Sequence, residues 1–189
     1  MNRRALIQSM LAINNVNNFD GPSRYVQTKA ADFDMNGNYI GTKEYIILPS
    51  NKTSGYNITN TNVKGVATNG NYLIDTRYMF VGNNSLYLEL DYLDTSNVTN
   101  MSFMFASSQA TTLDLSSFDT SNVTDMSGMF SSSQATTLDL SSFDTSNVTD
   151  MYNMFVNSQA TTGYARTQTD ADNFNSSSNK PSTLTFVVK

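Results

Sequence analysis

Apolar and polar residues follow a pattern that is written three times between Leu88 and Thr162. The three copies read LELDYLDTSNVTNMSFMFASSQATT, LDLSSFDTSNVTDMSGMFSSSQATT and LDLSSFDTSNVTDMYNMFVNSQATT. A fixed period of about 25 residues is typical of a solenoid, in which each unit buries its apolar face only by stacking on its neighbours. The pattern therefore predicts a regular stacked array.

Each copy predicts one short strand followed by one short helix. In the second copy, Leu113 and Leu115 lie at strand spacing with a polar residue between them. Residues 119–122, Asp-Thr-Ser-Asn, favour a turn, because their side chains bond the local backbone. Three apolar residues then follow at i, i+3 and i+4, namely Met126, Met129 and Phe130. One strand and one helix per copy is an α/β repeat, the leucine-rich-repeat type of solenoid.

The array is expected to extend beyond the three clean copies on its N-terminal side. The pair Met-Phe recurs at the spacing of the copies, at positions 79–80, 104–105, 129–130 and 154–155. Residues 72–86 are therefore predicted to form a degraded earlier unit, as terminal repeats often do. On the other side the phase is lost after Thr162, because the sequence Gly-Tyr-Ala-Arg at 163–166 stands where Leu-x-Leu-x is expected.

The repeat resembles a known family. The block FDTSNVTDMSGMF, followed by a serine-rich turn and by LDLSSFDTSNVTDM, is similar to the BspA-like bacterial surface repeats, which also occur in some bacteriophage genomes. The resemblance covers residues 72–162, and the tail from Gly163 to Phe186 resembles the way such arrays end. It implies a leucine-rich-repeat-like fold, surface display and adhesion, and it supplies no catalytic residues. Residues 1–70 carry no such resemblance.

The flanking segments complete a predicted division into four parts. Residues 1–20 are expected to form a short amphipathic docking helix, with a secretory signal as the alternative. Residues 21–71 are rich in Tyr, Ile, Val and Thr and predict short antiparallel strands, in a small β-rich module or cap before the solenoid at 72–162. Residues 163–189 are expected to cap its end with a helical turn at 169–174 and a final strand at 183–188. No stretch approaches the roughly 20 apolar residues of a membrane span.

The amino-acid composition limits the kinds of functional site and partner that the chain can have. The chain contains no cysteine and no histidine, which removes thiolate sites and the commonest general base and transition-metal ligand. The net charge is −5, but residues 88–162 contain no Lys or Arg against one glutamate and eight aspartates, a charge of −9. A surface of that sign repels phosphate backbones, so no nucleic-acid partner is expected.

Stacked aspartates suggest two interpretations. Asp94, Asp119 and Asp144 occupy equivalent positions, as do Asp125 and Asp150. Stacking would place equivalent carboxylates about 4.8 Å apart, where they would favour a hard cation such as calcium. The alternative, which we favour, is that each aspartate caps its own turn and that no cofactor is bound.

Two further repeated features are predicted to be structural. The Met and Phe residues at helical spacing are interpreted as core rather than as a cofactor site. The Asn-x-Thr triplets at Asn97, Asn122 and Asn147 match glycosylation sequons but are interpreted as turn residues, forming a ladder of side-chain amides.

Exposed positions that vary between copies are candidates for partner recognition, because constant positions serve the stack. We select Tyr87, Tyr92, Phe103 and Tyr152, since aromatic side chains supply large contact area at low entropic cost. Surface drift in recently duplicated copies is the alternative.

The function expected from these features is structural or adhesive rather than enzymatic. A serine nucleophile would lack a histidine base, and the carboxylates form no distinct pair in unlike environments. Because residues 1–20 carry no convincing secretion signal, we expect a bacteriophage virion surface protein that contacts a protein or glycan and joins a larger assembly through residues 1–70. The alternative is a secreted or bacterial cell-surface adhesin that binds host protein or glycan.

Overall fold

The structure is a β-solenoid. The computed structural model describes residues 25–48, 58, 63–67, 73–91 and 93–189, so the docking helix expected at residues 1–20 lies outside the described residues. Within the described ranges, eight short strands follow one another along the solenoid axis. They are β1 Val26–Gln27, β2 Tyr45–Ile47, β3 Gly65–Ala67, β4 Tyr87–Leu88, β5 Thr112–Leu113, β6 Thr137–Leu140, β7 Thr162–Ala165 and β8 Thr185–Val188. The only α-helix in the described ranges is α1, Gln168–Asn175, and a single 3₁₀ turn spans Ala30–Asp32.

The strands of successive coils pair in parallel with the period of the sequence. Tyr87 is in register with Thr112, and Thr137 with Thr162, so each residue lies beside its equivalent in the next copy. A second line of parallel bridges runs through Asp75, Asn100, Asp125 and Asp150 on another side of the coil. The predicted repeat solenoid is therefore confirmed.

In the described residues of the three copies no helix is found at the predicted places, so the α/β leucine-rich-repeat detail is not confirmed. The residues after the second line of bridges form consecutive turns. Phe103 and Gly128 have φ angles of 54° and 60°. These angles lie in the left-handed region, whereas residues of a right-handed α-helix have negative φ angles. The Phe103 N–H donates to the Ser127 carbonyl of the next coil at 2.9 Å, instead of to the carbonyl four residues back. Met126, Met129 and Phe130 still face the core, as the pattern required.

The N-terminal strands were predicted in the right places but with the wrong pairing. β1, β2 and β3 lie within the expected segments, yet Val26 pairs with Ile46, and Ile46 with Val66, in parallel. A whole coil of the chain lies between each pair of partners, whereas an antiparallel hairpin needs only a short loop. The one antiparallel bridge in the described ranges joins Phe33 and Tyr39 around the left-handed Gly37.

One continuous core runs along the axis from Phe33 to Phe186. Its centre is a column of stacked rings, Phe80, Phe105, Phe130 and Phe155, whose centroids are 5.5, 5.7 and 6.0 Å apart and whose planes differ by 7° or less. Such a stack forms because identical side chains repeat at the coil spacing. Phe174 of α1 ends the column by meeting Phe155 edge-on, at 87°.

In the C-terminal segment the backbone continues the register of the coils, although the leucine pattern of the side chains ends at Thr162. β7 pairs residue for residue with β6, so that Gly163 occupies the place of Leu138. The Phe186 ring fills the space left by the missing side chain, since a Cβ on Gly163 would lie 2.3 Å from that ring. The predicted final strand and helical turn are both found, and the turn extends to the eight residues of α1.

The edge strand β8 is protected by a side chain. The Asn175 amide donates to the Phe186 carbonyl at 2.9 Å, and its oxygen accepts from the Phe186 N–H at 3.0 Å. The amide thus takes the place of a further strand and blocks pairing with another chain there. None of the described helices has the length and apolar character needed to cross a bilayer.

Candidate binding surface

Strands β4 and β5 form one parallel sheet, and β6, β7 and β8 form the next. The side of these two sheets that faces away from the core carries two columns of outward side chains at the spacing of the repeat. We call this side the outer sheet face. The first column is Tyr87, Thr112, Thr137, Thr162 and Thr185. The second column is Glu89, Asp114, Asp139, Tyr164 and Val187. Because strand side chains alternate, both columns follow directly from the inward positions of the leucines between them. The face is therefore rich in hydroxyls and acidic, with a tyrosine near each end.

A lysine of the chain itself already binds to this face. The Lys189 Nζ lies 2.5 Å from the Asp139 Oδ2 and 5.6 Å from the centre of the Tyr164 ring. Burial alone would raise the pKa of Asp139, but hydrogen bonds from Lys189 and Ser141 outweigh it and hold that pKa below its usual value. The same hydrogen bond has the opposite effect on the lysine, because it raises the pKa of Lys189 above its usual value. The carboxylate and the ring together hold an ammonium group.

Tyr87, one of the predicted partner residues, lies on the outer sheet face with 51% of its surface exposed. Burial of the remainder raises the pKa of its phenol, and the charges of Glu89, Asp91 and Asp114 raise it further. An exposed ring surrounded by carboxylates is an environment that favours cations.

The other predicted partner residues do not join Tyr87. Tyr152 is 62% exposed but belongs to the turn segment, where its N–H donates to the Asp150 carboxylate at 2.8 Å. Phe103 is half-buried and stacks on Tyr78, with ring centres 5.3 Å apart. Tyr92 lies outside the described residues. The recognition role of these residues stays a prediction, and the structure gives Phe103 a packing role in addition.

Phe103 and Tyr152 occupy different positions of the repeat. Phe103 is equivalent to Gly128 and Asn153, whereas Tyr152 is equivalent to Ser127 and Ser102. A Cβ on Gly128 would lie 2.3 Å from the Phe103 ring, so the ring leans over the glycine of the next coil. Variation at this position is therefore coupled between neighbouring coils.

The stacked aspartates serve their own turns, as the favoured interpretation predicted. The carboxylates of Asp94 and Asp119 each accept from the N–H of the serine two residues on, at 3.1 and 3.0 Å. Asp125 accepts in the same way from Ser127, and in the first copy Asn100 does so from Ser102. In the part of the chain that the structure describes, no three acidic side chains are grouped as metal ligands.

Two of the three asparagines of the Asn-x-Thr triplets join neighbouring coils, whereas the Asn97 amide donates to the Ser96 hydroxyl of its own turn at 3.1 Å. The Asn122 amide donates to the Ser96 carbonyl of the preceding coil at 2.8 Å, and Asn147 donates to Ser121 at 2.7 Å. The amide nitrogens of Asn122 and Asn147 thus connect two coils, and all three asparagines make hydrogen bonds at their turns, as the turn interpretation predicted.

Sequence reasoning missed Asp114, Asp139, Tyr164 and Lys189 as members of a common surface. The predicted partner residues are positions that differ between copies, whereas Asp114 and Asp139 are the same residue at equivalent positions and were therefore not selected. The usable signal was the strand alternation, which places residues 112 and 114, and their equivalents, on one face.

A family model described as "Mycoplasma protein of unknown function, DUF285" matches residues 51–180. The chain belongs to this family. The match includes the three clean copies and agrees with the resemblance to BspA-like surface repeats, while a bacteriophage origin stays a prediction. Searches of curated proteins and of solved structures gave no significant match. The family thus supports a structural or surface protein and specifies no partner.

Proposed function

We propose that the protein is a non-enzymatic solenoid displayed at a bacterial surface, where its array holds the outer sheet face for contact with a partner. The observation that carries the proposal is a contrast between the turn side chains that join coils and the side chains of the outer sheet face. The Thr120 hydroxyl and the Asn122 amide bond neighbouring coils. In contrast, Tyr87 and Asp114 are exposed on the outer sheet face, and among the described residues Asp114 bonds only within its own turn, to Ser116.

The internal bonds support a rigid scaffold. Thr95 and Thr120 each donate a hydroxyl proton to a carbonyl of the next coil, at 3.0 and 3.1 Å. With the amide ladder and the phenylalanine column, every regular coil is joined to the next at several points. A scaffold of this kind keeps the side chains of the outer sheet face at fixed spacing, which lowers the entropy lost on binding.

A cell-surface location is our first candidate, ahead of the virion location that the sequence suggested first. It is supported by the family, whose description refers to Mycoplasma proteins. A bacteriophage virion protein remains the second candidate, and its structural and adhesive role would be the same. The two locations differ in where the protein is recovered.

The test is protease treatment of intact cells of the producing bacterium, followed by quantitative mass spectrometry of cells, medium and any released phage particles. We expect repeat peptides to disappear from treated cells while a cytosolic marker protein is retained. Recovery at stoichiometric level in particles alone would assign the protein to the virion. Recovery only in the protected cytosolic fraction would contradict surface display in either form.

A binding assay with purified protein tests the predicted recognition residues. Purified Tyr87→Ala protein is expected to bind less than wild type to the cells or to the host surface. Tyr92→Ala and Tyr152→Ala variants test the remaining predicted residues in the same assay. Unchanged binding of all three variants would remove the tyrosines from the proposed function.

A further inference from the structure

Lys189 shows which chemical group the outer sheet face accepts. Its side chain extends from the end of β8 across the Tyr164 ring of β7 and reaches Asp139 on β6. The ammonium therefore has a carboxylate on one side and an aromatic face on the other. This pairing of an ion pair with a cation–π contact is stronger than either interaction alone at an exposed site.

A similar arrangement lies toward the N-terminal end of the same face. Tyr87 on β4 is the register partner of Thr112, and Asp114 follows two residues later on the same outward side. Tyr87 and Asp114 are both exposed, and Glu89 lies beside them on the strand of Tyr87. The Oδ1 of Asp114 accepts from Ser116, as that of Asp139 accepts from Ser141. The two places thus share a tyrosine ring, a nearby aspartate and the same local turn, but their register differs. Tyr164 is the direct partner of Asp139, whereas Tyr87 lies diagonal to Asp114, and Glu89 occupies the position opposite that aspartate.

We propose that the outer sheet face at Tyr87, Glu89 and Asp114 binds lysine or arginine side chains of a partner polypeptide, through the same two kinds of group, a tyrosine ring and a carboxylate, that Tyr164 and Asp139 offer to Lys189. The proposal deepens the proposed function and rests on it only for the accessibility of this face in the displayed protein.

Charge complementarity identifies the occupant. The outer sheet face carries three of the nine carboxylates of residues 88–162, those of Glu89, Asp114 and Asp139, and residues 88–162 contain no Lys or Arg. An extended basic segment would be attracted to such a face from a distance, and its cations would then be held by the ring and the carboxylate. The hydroxyls of the threonine column supply hydrogen-bond partners for the backbone of the same segment.

The experiment uses the full chain and a fluorescently labelled peptide of eight lysines, with affinity measured by fluorescence anisotropy at physiological ionic strength. Asp114→Asn is expected to weaken binding about threefold, the size of one exposed ion pair. Tyr87→Ala should weaken it by a similar factor, whereas Tyr87→Phe, which keeps the ring face, should bind like wild type. Circular dichroism confirms the fold of each variant.

Asp119→Asn is the matched control. Asp119 belongs to the same copy, is also exposed and accepts the same hydrogen bonds from the serine two residues on. It is not part of either column of the outer sheet face. The substitution removes the same unit of charge. Equal weakening by Asp114→Asn and Asp119→Asn would show that only the overall charge attracts the peptide, and it would overturn the proposal.

Lys189→Met provides a test in the opposite direction. Removal of the ammonium exposes Asp139 and Tyr164 to the peptide, so affinity is expected to rise about threefold. Unchanged or weaker binding would show that the two places are not equivalent and would contradict the assignment. Because the titration uses purified protein, its outcome is independent of whether the protein is found at a cell surface or in a virion.

Discussion

The Asp170 carboxylate accepts hydrogen bonds from both the Thr145 hydroxyl, at 2.6 Å, and the Thr145 N–H, at 3.1 Å. In the earlier coils, Thr95 and Thr120 donate their hydroxyl protons to backbone carbonyls of the following coil. After the last regular coil that carbonyl is replaced by the Asp170 side chain. In the earlier coils the backbone N–H groups of Asp119 and Asp144 donate to the hydroxyls of Thr95 and Thr120. At Thr145 the Asn173 side-chain amide donates to the hydroxyl instead. α1 therefore ends the solenoid by imitating the next coil.

Asp170→Ala is expected to destabilise the folded protein by about 2 kcal/mol, because it leaves the buried donors of Thr145 without their acceptor. The measurement is equilibrium urea unfolding followed by circular dichroism. Asp172→Ala is the control, since Asp172 lies on the same helix but is exposed. Equal losses in the two variants would show that helix propensity, not the link to Thr145, determines the effect.

The same aspartate predicts how stability depends on pH. Burial alone would raise the pKa of Asp170, but hydrogen bonds from Thr145 and Thr167 and the Arg166 guanidinium outweigh it and leave the pKa below its ordinary value. Its contribution to stability is therefore complete above the unfolded-state pKa of about 3.9 and is lost as pH falls through the lower folded-state value. Urea unfolding between about pH 7 and pH 2.5 measures this loss. Asp170→Asn should reduce the decrease at acid pH, and an unchanged pH profile would contradict the assignment.

The sequence predicted the period, the inward residues and the turns, because these depend on spacing that stacking preserves. Met126 and Phe130 are both fully buried, as expected. It did not predict the path between them. Apolar residues at i, i+3 and i+4 fit a helix, but consecutive turns with left-handed residues such as Gly128 produce the same spacing. Which of the two forms is decided by hydrogen bonds to the next coil, and these are tertiary interactions.

Gly163 and Lys189 illustrate the part of the structure that no local pattern contains. Gly163 interrupts the leucine pattern, yet its backbone continues the sheet because Phe186, from the following coil, fills the vacant space. The contact of Lys189 with Asp139 spans 50 residues. Both depend on the return of β8 beside β7, which the repeat period does not specify.

Asn100 separates carboxylates that would otherwise be stacked. Its amide donates to the Asp125 Oδ2 at 3.0 Å, in the column that also contains Asp75 and Asp150. Asn100→Asp should therefore destabilise the protein by about 0.5–1 kcal/mol through like-charge repulsion, and the loss should shrink at high salt. Urea midpoints at low and high NaCl concentration measure both effects. Asn97→Asp, which adds the same charge at an exposed turn, is expected to be nearly neutral, and an equal effect would point to net charge alone.

Gly128 and Phe103 form a coupled pair that a double-mutant cycle can measure. Gly128→Ala places a Cβ 2.3 Å from the Phe103 ring and a side chain at a φ of 60°, so a loss of more than about 2 kcal/mol is expected. Gly82→Ala is the control for the backbone cost alone, because its φ is 61° and its Cβ would meet nothing within 4 Å. Removal of the ring should relieve the clash, so Phe103→Ala with Gly128→Ala should cost at least about 1 kcal/mol less than the sum of the single losses. Additive losses in urea unfolding would show that the ring moves aside freely and that variation at this position is independent between coils.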